Sequence, residues 1–263
     1  MINLPFSVSD DPLGANQYRY LREHAWLMVS FDNNQRFYRY LSECLDQQWI
    51  PAIDLGRDWS LERSQSGRRI WLIGSQKAAI ADGFDVTDRR PVGRWRAPYG
   101  DYFAAAKGQP PSHRDGNWQR PTFAFLDQLP RDPHKLLERL QTSSPPDRPS
   151  YLGPATYALD ALRSGLVPAE LRAALYRALL LLPQVTAVDS VANPDGAASY
   201  ALVVDHQPTR TEIFIDQNNG QYSGERTTVT ANNPAGLEIG TVLGTRATII
   251  RAVDEIGAVP DTV

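Results

Sequence analysis

The sequence predicts an α+β fold, in which an antiparallel sheet is contributed by both ends of the chain and a run of helices lies between them. Three observations lead there. Aromatic and β-branched residues mixed with charges fill the chain up to position 73 and return after position 184. Leucines repeat at helical spacing in between. Strand runs and helix runs are segregated, without βαβ alternation. A chain of 263 residues is within what one hydrophobic core organises. The expected organisation is therefore a single domain, 1–263, with a β-meander over 14–73, an aromatic and proline-rich excursion over 74–130, a helical insertion over 131–183 and C-terminal strands over 184–257.

In the meander, strands over 17–31 and 36–50 flank Asp32-Asn33-Asn34-Gln35, a hairpin signature. On the second of them Phe37, Leu41, Leu45 and Trp49 share one parity, which Arg39, Glu43 and Gln47 interrupt. This pattern predicts a twisted sheet with one side partly open. Two short strands over 58–64 and 68–73 follow, joined by Gln65-Ser66-Gly67. The excursion contains Pro91, Pro98, Pro110, Pro111 and Pro121, which forbid long regular elements. Its aromatics, Trp95, Tyr99, Tyr102, Phe103, Trp118, Phe123 and Phe125, predict an ordered segment lying over the core.

The first helix starts at Pro133 with Asp132 as N-cap, carries Leu136, Leu137 and Leu140 on one face, and stops at Ser143-Ser144-Pro145-Pro146. A second runs over 154–164 to Gly165. The third is core-facing: Pro168 opens it, and Leu171, Leu175, Leu179 and Leu182 repeat until Pro183. The last third reads as strands over 185–191, 199–206, 211–216, 221–230 and 241–253, with turns at Asn193-Pro194-Asp195-Gly196 and Gln217-Asn218-Asn219-Gly220.

Composition removes several function classes. A net charge of -3 argues against a nucleic-acid binder, whose phosphate contacts need clustered cations. A hydrophobic fraction of 42% excludes disorder. The one cysteine, Cys44, permits no intrachain disulfide framework or multi-cysteine metal site, and reads as a buried structural thiol. No run is long and apolar enough for a membrane span, and the N-terminus lacks the pattern of a signal peptide.

No catalytic set emerges. His24, His113, His134 and His206 have no metal-ligand spacing, so no metal or other cofactor is expected. His206, after Asp205, is the best single residue for proton chemistry, against a solvated turn histidine; His24 reads as a hydrogen-bonded strand residue. Gly74-Ser75 lacks the second glycine of a nucleophile elbow. The acid pairs Asp10-Asp11 and Asp85 with Asp88 read as surface loop residues. The positive signal is aromatic and arginine interleaving, in Tyr18-Arg19-Tyr20, Phe37-Tyr38-Arg39-Tyr40 and Arg94-Trp95-Arg96, a composition of interface anchors and groove linings as well as of β cores.

Residues 17–22 (Gln-Tyr-Arg-Tyr-Leu-Arg), 48–52 (Gln-Trp-Ile-Pro-Ala), the helix over 171–179 ending at Leu182-Pro183, and the Ile215 to Arg226 stretch together resemble one family. It is an uncharacterised family of actinobacterial membrane-anchored proteins encoded near extracytoplasmic-function sigma factors, and the likeness runs from about Gly14 to Gly257. The resemblance implies an exported part similar to LolA- and RseB-like half-barrels, in which a curved antiparallel sheet wraps helices and holds a lipid or apolar peptide. It implies an extracytoplasmic location, although this chain carries neither the family's cytoplasmic segment nor its membrane span.

The expected function is accordingly a non-catalytic sensor or binding domain of the cell envelope. Tyr20, Trp26, Tyr38, Tyr40, Trp49 and Trp71 are the expected lining of a concave sheet face that takes an apolar small molecule or lipid. A protein-interaction module regulating an anti-sigma type of partner is the alternative, and a hydrolase centred on His206 the third reading.

Overall fold

A computed structural model of the chain describes residues 4–32, 36–53, 56–87, 90–109, 115–143 and 153–260. The Asn33-Asn34-Gln35 turn, the Ser144-Pro145-Pro146 helix stop, Pro110, Pro111, Asp88 and His113 lie outside the described residues. The chain runs β1 (Tyr18–Asp32), β2 (Phe37–Pro51), β3 (Asp58–Ile73), α1 (Gln76–Ala81), β4 (Gly93–Pro98), α2 (Tyr102–Ala106), α3 (Phe123–Asp127), α4 (Pro133–Ser143), α5 (Pro154–Arg163) and α6 (Ala169–Leu179). It continues through β5 (Val185–Ala192), β6 (Ala198–His206), β7 (Thr209–Asp216), β8 (Tyr222–Val229) and β9 (Val242–Val253).

The strands form one open antiparallel sheet in the order β4-β3-β2-β1-β9-β8-β7-β6-β5. The α+β expectation holds, and the joint between the chain's two ends is the β1–β9 pair, Tyr18↔Val253 to Trp26↔Thr245. Beyond Trp26 the sheet forks. Leu27 to Asp32 pair with β2 alone among the described residues.

Two local expectations need correction. The strands over 58–64 and 68–73 are one strand, β3, because Gln65-Ser66-Gly67 makes a bulge and not a reversal. Ser42 pairs with Arg69 and Cys44 with Gln65, so residues two apart on β2 face residues four apart on β3. Gly67, at φ 77°, absorbs the excess. The excursion over 74–130 also adds a strand that its prolines obscured. Edge strand β4 pairs with β3 from Asp58↔Pro98 to Arg63↔Gly93, and a proline is tolerated at the end of an edge strand.

Because paired residues share a face, the sheet has two distinct sides. The inner side, against α4, α5 and α6, carries Leu21, Ile50, Leu61, Leu202, Ile213 and Ile215, all buried. Leu171, Leu175 and Leu179 of α6 are fully buried in the same core, each contributing about 1.5–3 kcal/mol by leaving water. Gly165, at φ 67°, ends the turn after α5 where a Cβ would meet Leu21 Cδ1 at 2.6 Å, so the helices sit close on β1. Asp132 caps α4 as expected, accepting from the Lys135 amide at 3.0 Å. The outer side is covered locally, by the C-terminal segment over Tyr20, Trp49 and Val253 and by Val191 over Ala201, Val203 and Phe214.

Candidate functional site

The six aromatics expected to line one concavity are divided between the two sides. Tyr20, Trp26 and Trp49 face outward. Tyr20 packs on Trp49 with ring centroids 5.5 Å apart, and the Trp49 indole donates to the Ala258 carbonyl at 2.8 Å. Arg68 stands over the Trp26 ring at 5.2 Å. Tyr38, Tyr40 and Trp71 face inward and form a satellite core with Phe31, Phe84 and α1. Tyr38 lies 5.4 Å from Phe84, Tyr40 lies 5.0 Å from Trp71, and the Tyr38 hydroxyl donates to Asp82 at 2.6 Å. Strand parity forbids a common lining, since Trp49 is odd and Tyr38 and Tyr40 are even on the same strand.

The inner side instead opens a cleft of about 750 Å³ beyond the helices. Leu27, Val29 and Phe31 of the forked end of β1 make an apolar wall; Ser42, Cys44, Arg63 and Gln65 of β2 and β3 make the floor; Thr87, Arg90 and Pro91 close one side. Phe31 backs onto Tyr40 at 5.7 Å, so the satellite core braces that wall. Two cations, Arg63 and Arg90, are the charged groups among the described residues of the lining.

Those cations belong to an ionic array on the inner face. Arg63 forks onto Asp46 at 2.8 and 2.7 Å, and Arg90 reaches the same carboxylate at 3.4 Å and the Cys44 sulfur at 3.2 Å. Burial pushes the Cys44 thiol up, against the pull of Arg90, so the buried thiol is not activated. Further along, Glu225 accepts from Arg163 at 2.9 and 2.7 Å, from Arg246 at 2.5 Å and from the Tyr222 hydroxyl at 2.9 Å. Burial disfavours the Glu225 carboxylate, but Arg163 and Arg246 outweigh it and hold the carboxyl below its ordinary range. Glu23, 3.3 Å from Arg246, is pushed the other way by its burial. The array was missed at the sequence level, yet it left a signal: Glu23, Asp46 and Arg63 stand in step with Leu21, Ile50 and Leu61 on the core parity.

The remaining sequence candidates are not among the described lining of the cleft. His206 lines a 240 Å³ pocket with Thr156, Thr209, Thr211 and Thr227, while Asp205 pairs with Arg210 at 2.7 Å. Ser75 caps α1. Asp10 accepts from the first amide of α6 at 2.7 Å, and Asp85 accepts from its neighbour Thr87. Among the described residues, no cluster of His, Cys, Asp and Glu is arranged to hold a metal, and no helix is long and apolar enough to cross a membrane.

His24, on the outer side, lies between two carboxylates, with Nδ1 3.0 Å from Asp195 and Nε2 3.1 Å from Glu43. Arg22 also reaches Asp195, and Arg68 and Ser66 reach Glu43. Burial opposes the imidazolium, but the two carboxylates outweigh it and raise His24 above 6.5. Its contribution to stability is therefore full below pH 6.5 and is lost as pH rises through the raised value. Hydrogen bonds from Ser66 and His24 lower Glu43, whose contribution is present above pH 4.5 and lost as pH falls through the lowered value. Urea unfolding from pH 5.5 to 8.5 should therefore show stability declining toward the alkaline end, with His24→Gln flattening the decline. An unchanged slope in that variant would reject the assignment.

No protein-family model matches the chain, nor does any curated protein or solved structure.

Proposed function

We propose that the chain is a non-catalytic binding domain of the bacterial cell-envelope kind, whose inner cleft takes an amphiphile with an apolar chain and an acidic head. The observation that carries this reading is the polarity of the cleft. Leu27, Val29 and Phe31 offer an apolar wall, and Arg63 and Arg90 supply two cations, both hydrogen-bonded to the Asp46 carboxylate behind them. Its volume of about 750 Å³ suits a ligand of lipid or small-molecule size. The half-barrel outline implied by the family resemblance supports the same reading.

The test is displacement of the fluorescent dye anilinonaphthalene sulfonate by oleate and by methyl oleate. Oleate is expected to displace it more tightly than the ester. Arg90→Gln should weaken oleate by about 1.5–3 kcal/mol, the worth of a hydrogen bond to a charged group, and leave the ester unchanged. Equal affinities for acid and ester would remove the acidic head from the proposal.

A regulatory protein partner is the second reading, and one observation favours it. From Leu27 to Asp32, β1 extends beyond its last pair with β9, leaving an edge to which an extended peptide can add as a strand. If neither oleate nor its ester displaces the dye, the second reading replaces the first.

A further inference from the structure

The ionic array of the inner face ends at the cleft, and its charges balance. Among the described residues, the acids Asp160, Glu225, Glu23 and Asp46 meet the cations Arg163, Arg246, Arg63 and Arg90, one for one. Three of these acids receive hydrogen bonds from the cations: Asp160 from Arg163, Glu225 from Arg163 and Arg246, and Asp46 from Arg63 and Arg90. Glu23 receives none among the described residues. The Nε of Arg246 lies 3.3 Å from it without making a hydrogen bond, and the Nη1 of the same guanidinium is given to Glu225, as is the Tyr222 hydroxyl.

Strand register brings this acid to the cleft floor. Glu23 stands directly opposite Asp46 in the β1–β2 pair, on the same side of the sheet, where two like charges repel. Asp46 is the carboxylate on which Arg63 and Arg90 converge, and both of those cations line the cleft. The Glu23 charge also acts on Arg63 and on the Cys44 thiol, two groups of the floor. The charges that face Glu23 come from every element packed around it: Asp46 of β2, Arg246 of β9, Glu225 of β8 and Arg163 of α5. No hydrogen bond supports its ionised form, and the nearest carboxylate opposes it, so a proton taken up by the array is best placed there. With Glu23 ionised the array is neutral. With Glu23 protonated it carries one positive charge in excess, which is the charge that one acidic head neutralises.

We infer that Glu23 is the proton switch of the amphiphile cleft: protonated, it leaves the array one cation in excess to hold an acidic head, and ionised, it cancels that excess and releases the head. The proton is exchanged with water. This inference rests on the amphiphile reading and adds its regulation.

The experiment is calorimetric titration of the whole chain with decanesulfonate, which stays an anion throughout, between about pH 5 and 8. Affinity is expected to be highest at the acid end and to fall about tenfold as pH rises, the order expected for one unit charge placed near the head. Decanol, which has the chain and no charge, should bind without that dependence. Glu23→Gln copies the protonated form and should hold the acid-end affinity across the range. His24, which also titrates there, is on the outer side and is intact in that variant. If decanesulfonate binds with the same affinity at every pH, or loses affinity equally in Glu23→Gln, the switch is wrong and the amphiphile reading stands. If decanesulfonate binds at no pH, the amphiphile reading fails and the switch fails with it.

Discussion

Replacing Arg172 by methionine should lower the free energy of unfolding by about 3–5 kcal/mol, since two of its hydrogen bonds go to buried backbone carbonyls and a bond to a charged group is worth about 1.5–3 kcal/mol, read as a lower urea midpoint with an unchanged slope. Arg172 is the largest fully buried side chain, at 2% exposure. Its guanidinium donates to the Gly220 carbonyl at 3.0 Å, the Val167 carbonyl at 2.9 Å, the Ser9 carbonyl at 2.8 Å and the Asp10 carboxylate at 2.8 Å. One side chain thus joins α6, the β7–β8 turn and the segment preceding β1. Methionine fills similar volume and donates nothing, so the buried Gly220 and Val167 carbonyls lose their partner where water reaches poorly.

The joint also has a local signature. Leu4, Phe6 and Val8 pack on the core only while the leading segment is held, and Phe6 lies 4.9 Å from Tyr200 and 5.8 Å from Tyr176. In Arg172→Met the chain before β1 should become the first site of limited proteolysis. Asp10→Ala, which removes the α6 cap but leaves the backbone acceptors bonded, should cost only about 0.5–2 kcal/mol. Equal losses in the two variants would mean that the cap, and not the buried guanidinium, anchors the segment.

The strands after the helices were the most readable part of the fold because their turns are written in residues with few alternatives. Asn193 accepts from the amides of Asp195 and Ala197, and Gly220 sits at φ 65°. The same reasoning failed at Gln65-Ser66-Gly67, since a bulge and a hairpin turn use the same residues; only the unbroken length of β2 distinguishes them. Edge strand β4 was hidden because its partner is β3 alone and prolines flank it. The division of the six aromatics is readable from parity within β2, where Trp49 is odd and Tyr38 and Tyr40 are even, while composition carries no information on which face each takes. The meeting of Arg90 with Cys44 and Asp46 is a tertiary event across 44 or more residues, and no local pattern announces it.

The ionic array makes a sharper prediction, because two of its acids are held in opposite senses. Glu225→Gln keeps the shape of the side chain but removes the charge on which Arg163 and Arg246 converge, leaving both cations short of a buried partner. The expected cost is about 3–5 kcal/mol at pH 7. Since the Glu225 carboxyl is lower in the folded state than its ordinary 4.5, its contribution is present above that pH and is lost as pH falls through the lowered value. Wild type should therefore lose stability on acidification where Glu225→Gln, already without that contribution, changes less. Glu23 is the internal control. Burial raises its carboxyl despite Arg246, so the neutral form suits the site and the ionised form gains little there. Glu23→Gln should cost less than about 1 kcal/mol, within the range of an ordinary exposed ion pair. If both substitutions cost the same, the array is not organised around Glu225, and the divergence between the two acids drawn from their burial and partners is wrong.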